Sequence, residues 1–301
     1  MSRRIAGALF LVAIAGAGCG SDRDQELADE NRPFRQPKVE DPGPIHVHGL
    51  GVNPADGSLF VATHTGLFRA QAGKLRATRV AGRYQDTMGF TVVGKNTFLG
   101  SGHPDLREKL PPFLGLIRST DAGRTWKPVS RLGKSDFHVL EAAGGRVYGY
   151  GSDFDTRRQQ LLVSGDGGAT WRRAKLPERP SGDIAEEALL SLAIDPRNAA
   201  HVIASGPQAV WRSDDEGRTW KLASTEPGRL AWPEPETLYR VDGRGDTTVS
   251  ADAGTTWRPL GNAGGAPAAF EMVSGQLLVA LHDGTIKQSR DGKSWDVRSR
   301  P

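Results

Sequence analysis

Ser119-Thr120-Asp121-Ala122-Gly123-Arg124-Thr125-Trp126 decides how this chain is read, because the stretch returns. Ser164-Gly165-Asp166-Gly167-Gly168-Ala169-Thr170-Trp171 repeats it. Ser213-Asp214-Asp215-Glu216-Gly217-Arg218-Thr219-Trp220 and Ser250-Ala251-Asp252-Ala253-Gly254-Thr255-Thr256-Trp257 repeat it again. Ser289-Arg290-Asp291-Gly292-Lys293-Ser294-Trp295 is a shortened fifth copy, and the first serines stand 45, 49, 37 and 39 residues apart. A period of this length, filled with several short strand patterns, indicates an all-β chain folded as a β-propeller.

Each copy falls between two strand patterns and reads as a hairpin turn, with Thr-Trp opening the outer strand. Ser and Asp side chains suit a turn because they bond nearby backbone N–H groups. The glycine takes a backbone conformation that a Cβ penalises. The Trp adds a large apolar surface with one N–H to satisfy. The acidic spacing lacks the alternating aspartates and distal Glu of a calcium loop. Asp121, Asp166, Asp215, Asp252 and Asp291 are therefore read as structural.

The five copies resemble the Asp-box, or BNR, repeat, and the resemblance covers roughly residues 46–301. Asp-box propellers include sialidases, other glycoside hydrolases and several non-catalytic proteins. The resemblance implies that the repeated turns lie on the face away from the ligand. The whole chain is similar to bacterial lipoproteins described as sialidase-like glycosyl hydrolases.

Ahead of the repeats, residues 1–19 read as a secretion signal. Arg3 and Arg4 precede an apolar run, Ile5 to Ala17, that is too short to span a bilayer comfortably. Cys19, the single cysteine, follows Gly18 as in a bacterial lipobox, where the thiol is lipidated and becomes the mature N-terminus. The expectation is an extracytoplasmic protein, lipid-anchored to the bacterial cell membrane, with no internal disulfide. Residues 20–44 are polar and Pro-containing and read as a flexible tether. Phe34-Arg35-Gln36-Pro37 resembles the sialidase F-R-I-P motif but falls in that tether. The net charge is +4; Arg3 and Arg4 leave with the signal, which carries no acid, so +2 remains. That is no nucleic-acid footprint.

Residues 45–301 divide into six blades of four strands. The first opens on Ile45-His46-Val47-His48-Gly49-Leu50-Gly51-Val52 and has lost the repeated turn; Lys74 to Val80 can be its outer strand. The others begin near Asp86, Asp136, Ala188, Leu230 and Ala268. Six of the seven histidines fall at one end of these strands. His46, His48 and His138 lie near inner-strand starts, and His46 and His48, two apart, should share a strand face. His64, His103 and His282 follow second strands. Asp86, Asp105, Asp136, Asp153, Asp155, Glu186, Glu187 and Asp283 fall at the same end. Only His201 falls elsewhere.

Such a mouth could coordinate Zn²⁺ or Cu²⁺ through His46, His48, His64, His138 and His282. Asp86 and Asp136 are the candidates for acid–base chemistry. The alternative is a water-filled channel lined by the same polar groups, with the His103 loop available to a partner.

Two functions are expected. One is a membrane-tethered module binding a glycan or protein partner, metal-linked through the histidines. The other is a sialidase-like hydrolase of cell-surface or extracellular glycans. The sialidase resemblance implies an arginine cluster for a sugar carboxylate and a late Tyr nucleophile. No inner-strand arginine is evident. Tyr84, Tyr148, Tyr150 and Tyr239 all precede the sixth blade. No phosphate-binding loop, nucleophile elbow or CxxC occurs.

Overall fold

The structure is a computed structural model that describes residues 41–178, 189–273 and 275–301. The expected signal, Cys19 and most of the tether lie outside the described residues, as do Glu186 and Glu187. Six four-stranded antiparallel sheets form the blades, each built from consecutive strands. Blade 1 holds β1 (Val47–Val52), β2 (Leu59–Thr63), β3 (Gly66–Ala70) and β4 (Thr78–Arg79). Blade 2 holds β5 (Asp86–Gly94), β6 (Thr97–His103), β7 (Leu116–Ser119) and β8 (Lys127–Ser130). Blade 3 holds β9 (Ser135–Ala143), β10 (Arg146–Asp153), β11 (Gln159–Ser164) and β12 (Arg172–Ala174). Blade 4 holds β13 (Ser191–Ile194), β14 (Val202–Ser205), β15 (Val210–Ser213) and β16 (Lys221–Ser224). Blade 5 holds β17 (Arg229–Glu234), β18 (Thr237–Val241), β19 (Asp246–Ser250) and β20 (Arg258–Asn262). Blade 6 holds β21 (Pro267–Val273), β22 (Gln276–Leu281), β23 (Ile286–Ser289) and β24 (Asp296–Ser299).

The ring closes because every neighbouring pair of blades buries its own apolar cluster. Phe60, Phe90 and Phe98 join blades 1 and 2, and Leu99, Leu116 and Phe137 join blades 2 and 3. Tyr148, Leu161 and Leu192 join blades 3 and 4; Ile203, Leu230 and Leu238 join 4 and 5. Val241, Phe270 and Val279 join 5 and 6, and Leu50, Leu59 and Leu278 bring 6 back to 1. Burying such side chains supplies about 1.5–3 kcal/mol each before entropy is charged.

The repeated turns connect third to fourth strands, as expected. In the Ser164 copy the serine Oγ accepts from Gly168 N at 2.8 Å, and Asp166 accepts from Thr170 N at 2.9 Å and Thr170 Oγ1 at 2.6 Å. Gly168 has φ +95°, and a Cβ there would sit 2.0 Å from Leu116 Cδ2 of blade 2. The glycine thus serves close blade packing as well as turn geometry. Trp171 donates its indole N–H to Ser130 of blade 2 at 2.8 Å, and Trp220 donates to the Lys175 carbonyl at 2.8 Å. The Trp precedes the outer strand rather than opening it.

The outer strand of blade 1 is shorter than expected. Lys74 to Val80 does not form one outer strand; β4 is confined to Thr78–Arg79. The backbone before it is taken by the C-terminus instead. Arg300 N and Ser299 Oγ donate to the Leu75 carbonyl at 2.9 and 2.6 Å, Arg298 reaches Lys74 O at 3.1 Å, and Arg76 bridges Arg300 in parallel.

Candidate functional site

One end of the ring gathers side chains from three blades. His46, His48 and His64 come from blade 1, Asp86 and His103 from blade 2, and Asp136 and His138 from blade 3. The expected strand face shared by His46 and His48 does not exist. His46 precedes β1 with φ +52°, and His48 is the extra residue where the β1–β2 register shifts between Val47 and Gly49. A bulge re-aims a side chain, and both imidazoles still reach His64. The His48 and His64 ring centroids lie 4.4 Å apart, and those of His46 and His64 lie 5.2 Å apart. His138 occupies the same kind of position, where the β9–β10 register shifts.

From His64 a chain of polar contacts crosses the blades. His64 Nδ1 lies 3.0 Å from Asp86 Oδ1, and Asp86 Oδ2 lies 3.2 Å from His103 Nδ1. The other nitrogen of His103 is 3.5 Å from Asp136 Oδ2, which also meets His138 Nε2 at 2.8 Å. Asp86 and His103 face each other as the first residue of β5 and the last of β6. Their neighbour Gly102 has φ +133°, and a Cβ there would stand 2.1 Å from the Asp86 carbonyl.

The electrostatics divide the imidazoles. Burial, and then the neighbouring His64 charge, pull the His48 pKa down to about 4, so it is neutral at pH 7. Its Nε2 is buried with no hydrogen-bond partner. His103 is shifted the other way, first by its hydrogen bond to Asp86 and then by the charges of Asp136 and Asp86. Burial pushes the Asp86 carboxyl up, but hydrogen bonds from His103 and His64 outweigh it and hold the group below its ordinary value.

Donor atoms of His48, His64 and Asp86 all lie within 4.8 Å of one another. Donors around a tetrahedral zinc stand roughly 3.3 Å apart, so binding a metal would require these side chains to draw closer together. The donor set, two imidazoles and a carboxylate, suits a divalent transition metal.

Beside this cluster opens an axial cavity of about 540 Å³, lined by His46, His48, His138 and His282 among others. His282 therefore faces the cavity, but it is outside the His–Asp network. Pro42 to Pro44, expected as the end of the tether, line the same cavity. Below it the channel narrows past Glu141 and Glu271 on the inner strands of blades 3 and 6. Burial, then the charge of Glu271, raises Glu141; burial raises Glu271 to about 7.

Several expected mouth acids have structural work instead. Asp105 is buried and held by Arg107 and by Tyr84 N at 2.9 Å. Asp153 accepts from Thr156 N at 3.0 Å and pairs with Arg131 at 3.2 Å, and Asp155 pairs with Lys134 at 2.9 Å. Asp283 is at the exposed cavity rim, where it accepts from Thr285 N at 2.8 Å. His201 pairs with Asp195 at 3.4 Å, away from the mouth as expected. Two residues were missed. His103, placed at the mouth by the sequence but outside the candidate ligand set, links the two carboxylates. The expectation of no inner-strand arginine fails, because Arg229 opens β17 and lines the cavity.

No protein-family model matches the sequence, and no curated protein matches it. Solved structures match by fold. The GH74 xyloglucanase from Xanthomonas campestris is 16% identical over 88% of this chain and 47% of that one, with a TM-score of 0.55. An ancestral GH74 enzyme is 15% identical over 84% of this chain and 37% of its own, at 0.56. A chain of a nidogen/laminin complex is 12% identical over 81% of this chain and 93% of that one, at 0.58. This chain thus spans less than half of either GH74 enzyme, and identities this low establish the propeller fold alone.

Proposed function

We propose that this protein is an extracytoplasmic, membrane-tethered Asp-box propeller that binds a ligand or partner at a metal-linked axial mouth. The carrying observation is His48. It is a neutral imidazole with an orphaned, buried Nε2, set beside His64 and Asp86 so that all three donors lie within 4.8 Å. A buried polar atom without a partner is costly, and a metal ion satisfies it with the lone pair that neutrality leaves free. The ion is Zn²⁺ or Cu²⁺. The signal-like N-terminus with Cys19 supports the tethered location.

Glycan hydrolysis is less well supported. Its two carboxylates would have to act across a space open to a sugar oxygen. The His103 imidazole lies between Asp86 and Asp136, within 3.2 and 3.5 Å of them. No tyrosine lines the cavity or the channel below it.

The test is a zinc or copper titration of chelator-stripped protein. His48→Ala should weaken binding by at least tenfold, whereas His282→Ala, which removes a cavity imidazole outside the network, should not. Equal binding by wild type and His48→Ala would contradict the reading.

A further inference from the structure

Arg229 has no counter-ion among the described residues. Its Nε and Nη1 donate to the carbonyls of Pro267 and Leu190 at 3.2 and 3.0 Å, and it makes no ion pair among the described residues. Burial alone drags its pKa down to about 10, so it remains a cation at neutral pH. Arg240 shows the usual arrangement, a buried guanidinium meeting Glu226 at 2.7 Å. Arg229 is half-buried, and a bound anion would give its guanidinium the charge-assisted hydrogen bonds that it lacks. Arg229 lines both the axial cavity of about 540 Å³ and the narrower channel beneath it. That volume suits a small organic ligand.

The lining narrows the ligand class. Among the described lining residues Arg229 is the one with a permanent positive charge. The lining's rim carboxylate, Asp283, is engaged by Thr285 N. A single planar guanidinium matches a monoanionic carboxylate, which it can meet with charge-assisted hydrogen bonds. Pro44, Ile45, Leu189 and Leu281 supply apolar wall around the polar groups. We propose that the axial cavity binds a small carboxylic acid with an apolar body, its carboxylate seated on Arg229. This goes beyond the metal reading and does not require it, because Arg229 is not one of the metal donors.

The experiment is calorimetric titration of the full chain with hexanoate, with the neutral isostere hexanol and with inorganic phosphate, each with and without a chelator. Hexanoate should bind at least tenfold more tightly than hexanol and than phosphate, and the chelator should not change this. Arg229→Gln should lose at least tenfold in hexanoate affinity, and Arg229→Lys, which keeps the cation, should lose less. The wild-type comparison of acid with alcohol stands even if Arg229→Gln fails to fold. Equal affinity for hexanoate and hexanol, or no saturable hexanoate binding, would overturn the proposal. So would tighter binding of phosphate. Hexanoate binding abolished by the chelator would assign the carboxylate to a metal and overturn Arg229 as its seat, while supporting the metal reading.

Discussion

At the scale of single residues, the aspartates of the repeated turns and the glutamates of the channel titrate in opposite senses. Hydrogen bonds from Thr219, then from its backbone N–H and Ser213, outweigh slight burial and lower Asp215 to about 2. A carboxylate lowered on folding stabilises the protein fully above its unfolded value near 3.9, and that contribution is lost as pH falls towards 2. Asp215→Asn should therefore flatten the decline of Tm between pH 4 and 2; an unchanged slope would sink this. Glu271 is the reverse case. Its folded pKa of about 7 exceeds the ordinary 4.5, so the folded state binds the proton more tightly. Stability from this group is full below about 4.5 and falls as pH rises through 7. Glu271→Gln should gain on the order of 1–2 kcal/mol at pH 8, discounted for the water-sized channel it faces, and nothing at pH 4. Denaturant unfolding at both values decides it. The turn aspartates were legible in the sequence because their partners lie within four residues. The glutamates were not, because their proximity is set by blades 3 and 6.

Strands and turns show where sequence reading stops at the scale of the element. Blade number and strand order followed from the repeat spacing, since each turn carries its own bonding pattern. Strict alternation placed His46 and His48 on one face, but a left-handed residue and a bulge aim them instead. A bulge leaves no sequence mark beyond a permissive neighbour. At the matching bulges of blades 2 and 3 those neighbours are Gly102 and Gly151: an added Cβ would stand 2.1 Å from the Asp86 carbonyl or 1.8 Å from the Asp136 carbonyl. The glycine that ends the run Gly100-Ser101-Gly102 beside His103 was the available signal for the missed histidine. Gly151→Ala should destabilise by about 1–3 kcal/mol, because backbone must move to admit the methyl group. Chemical denaturation tests this, and a neutral result would refute the close approach.

Considered as a whole molecule, the ring is a cycle of six interfaces, and the sequence could not reveal how it is latched. The latch is a set of contacts from the Arg298 and Ser299 side chains and the Arg300 backbone N–H to the backbone of residues 74–76, segments more than two hundred residues apart with no shared motif. Arg298→Ala combined with Ser299→Ala, which removes two of the three latch hydrogen bonds, should lower stability by about 1–2 kcal/mol at roughly 1 kcal/mol each. A Tm equal to that of the wild type would show the latch to be idle. The mouth is equally a property of the whole ring, since blades 1, 2 and 3 each supply part of the His–Asp network. The most direct measurement is therefore the metal content of the purified full chain by elemental mass spectrometry, beside His48→Ala and Asp86→Asn. The account predicts near-stoichiometric zinc or copper in the wild type and its loss in both variants. A wild-type protein that carries no metal after growth and purification with zinc and copper supplied would contradict it.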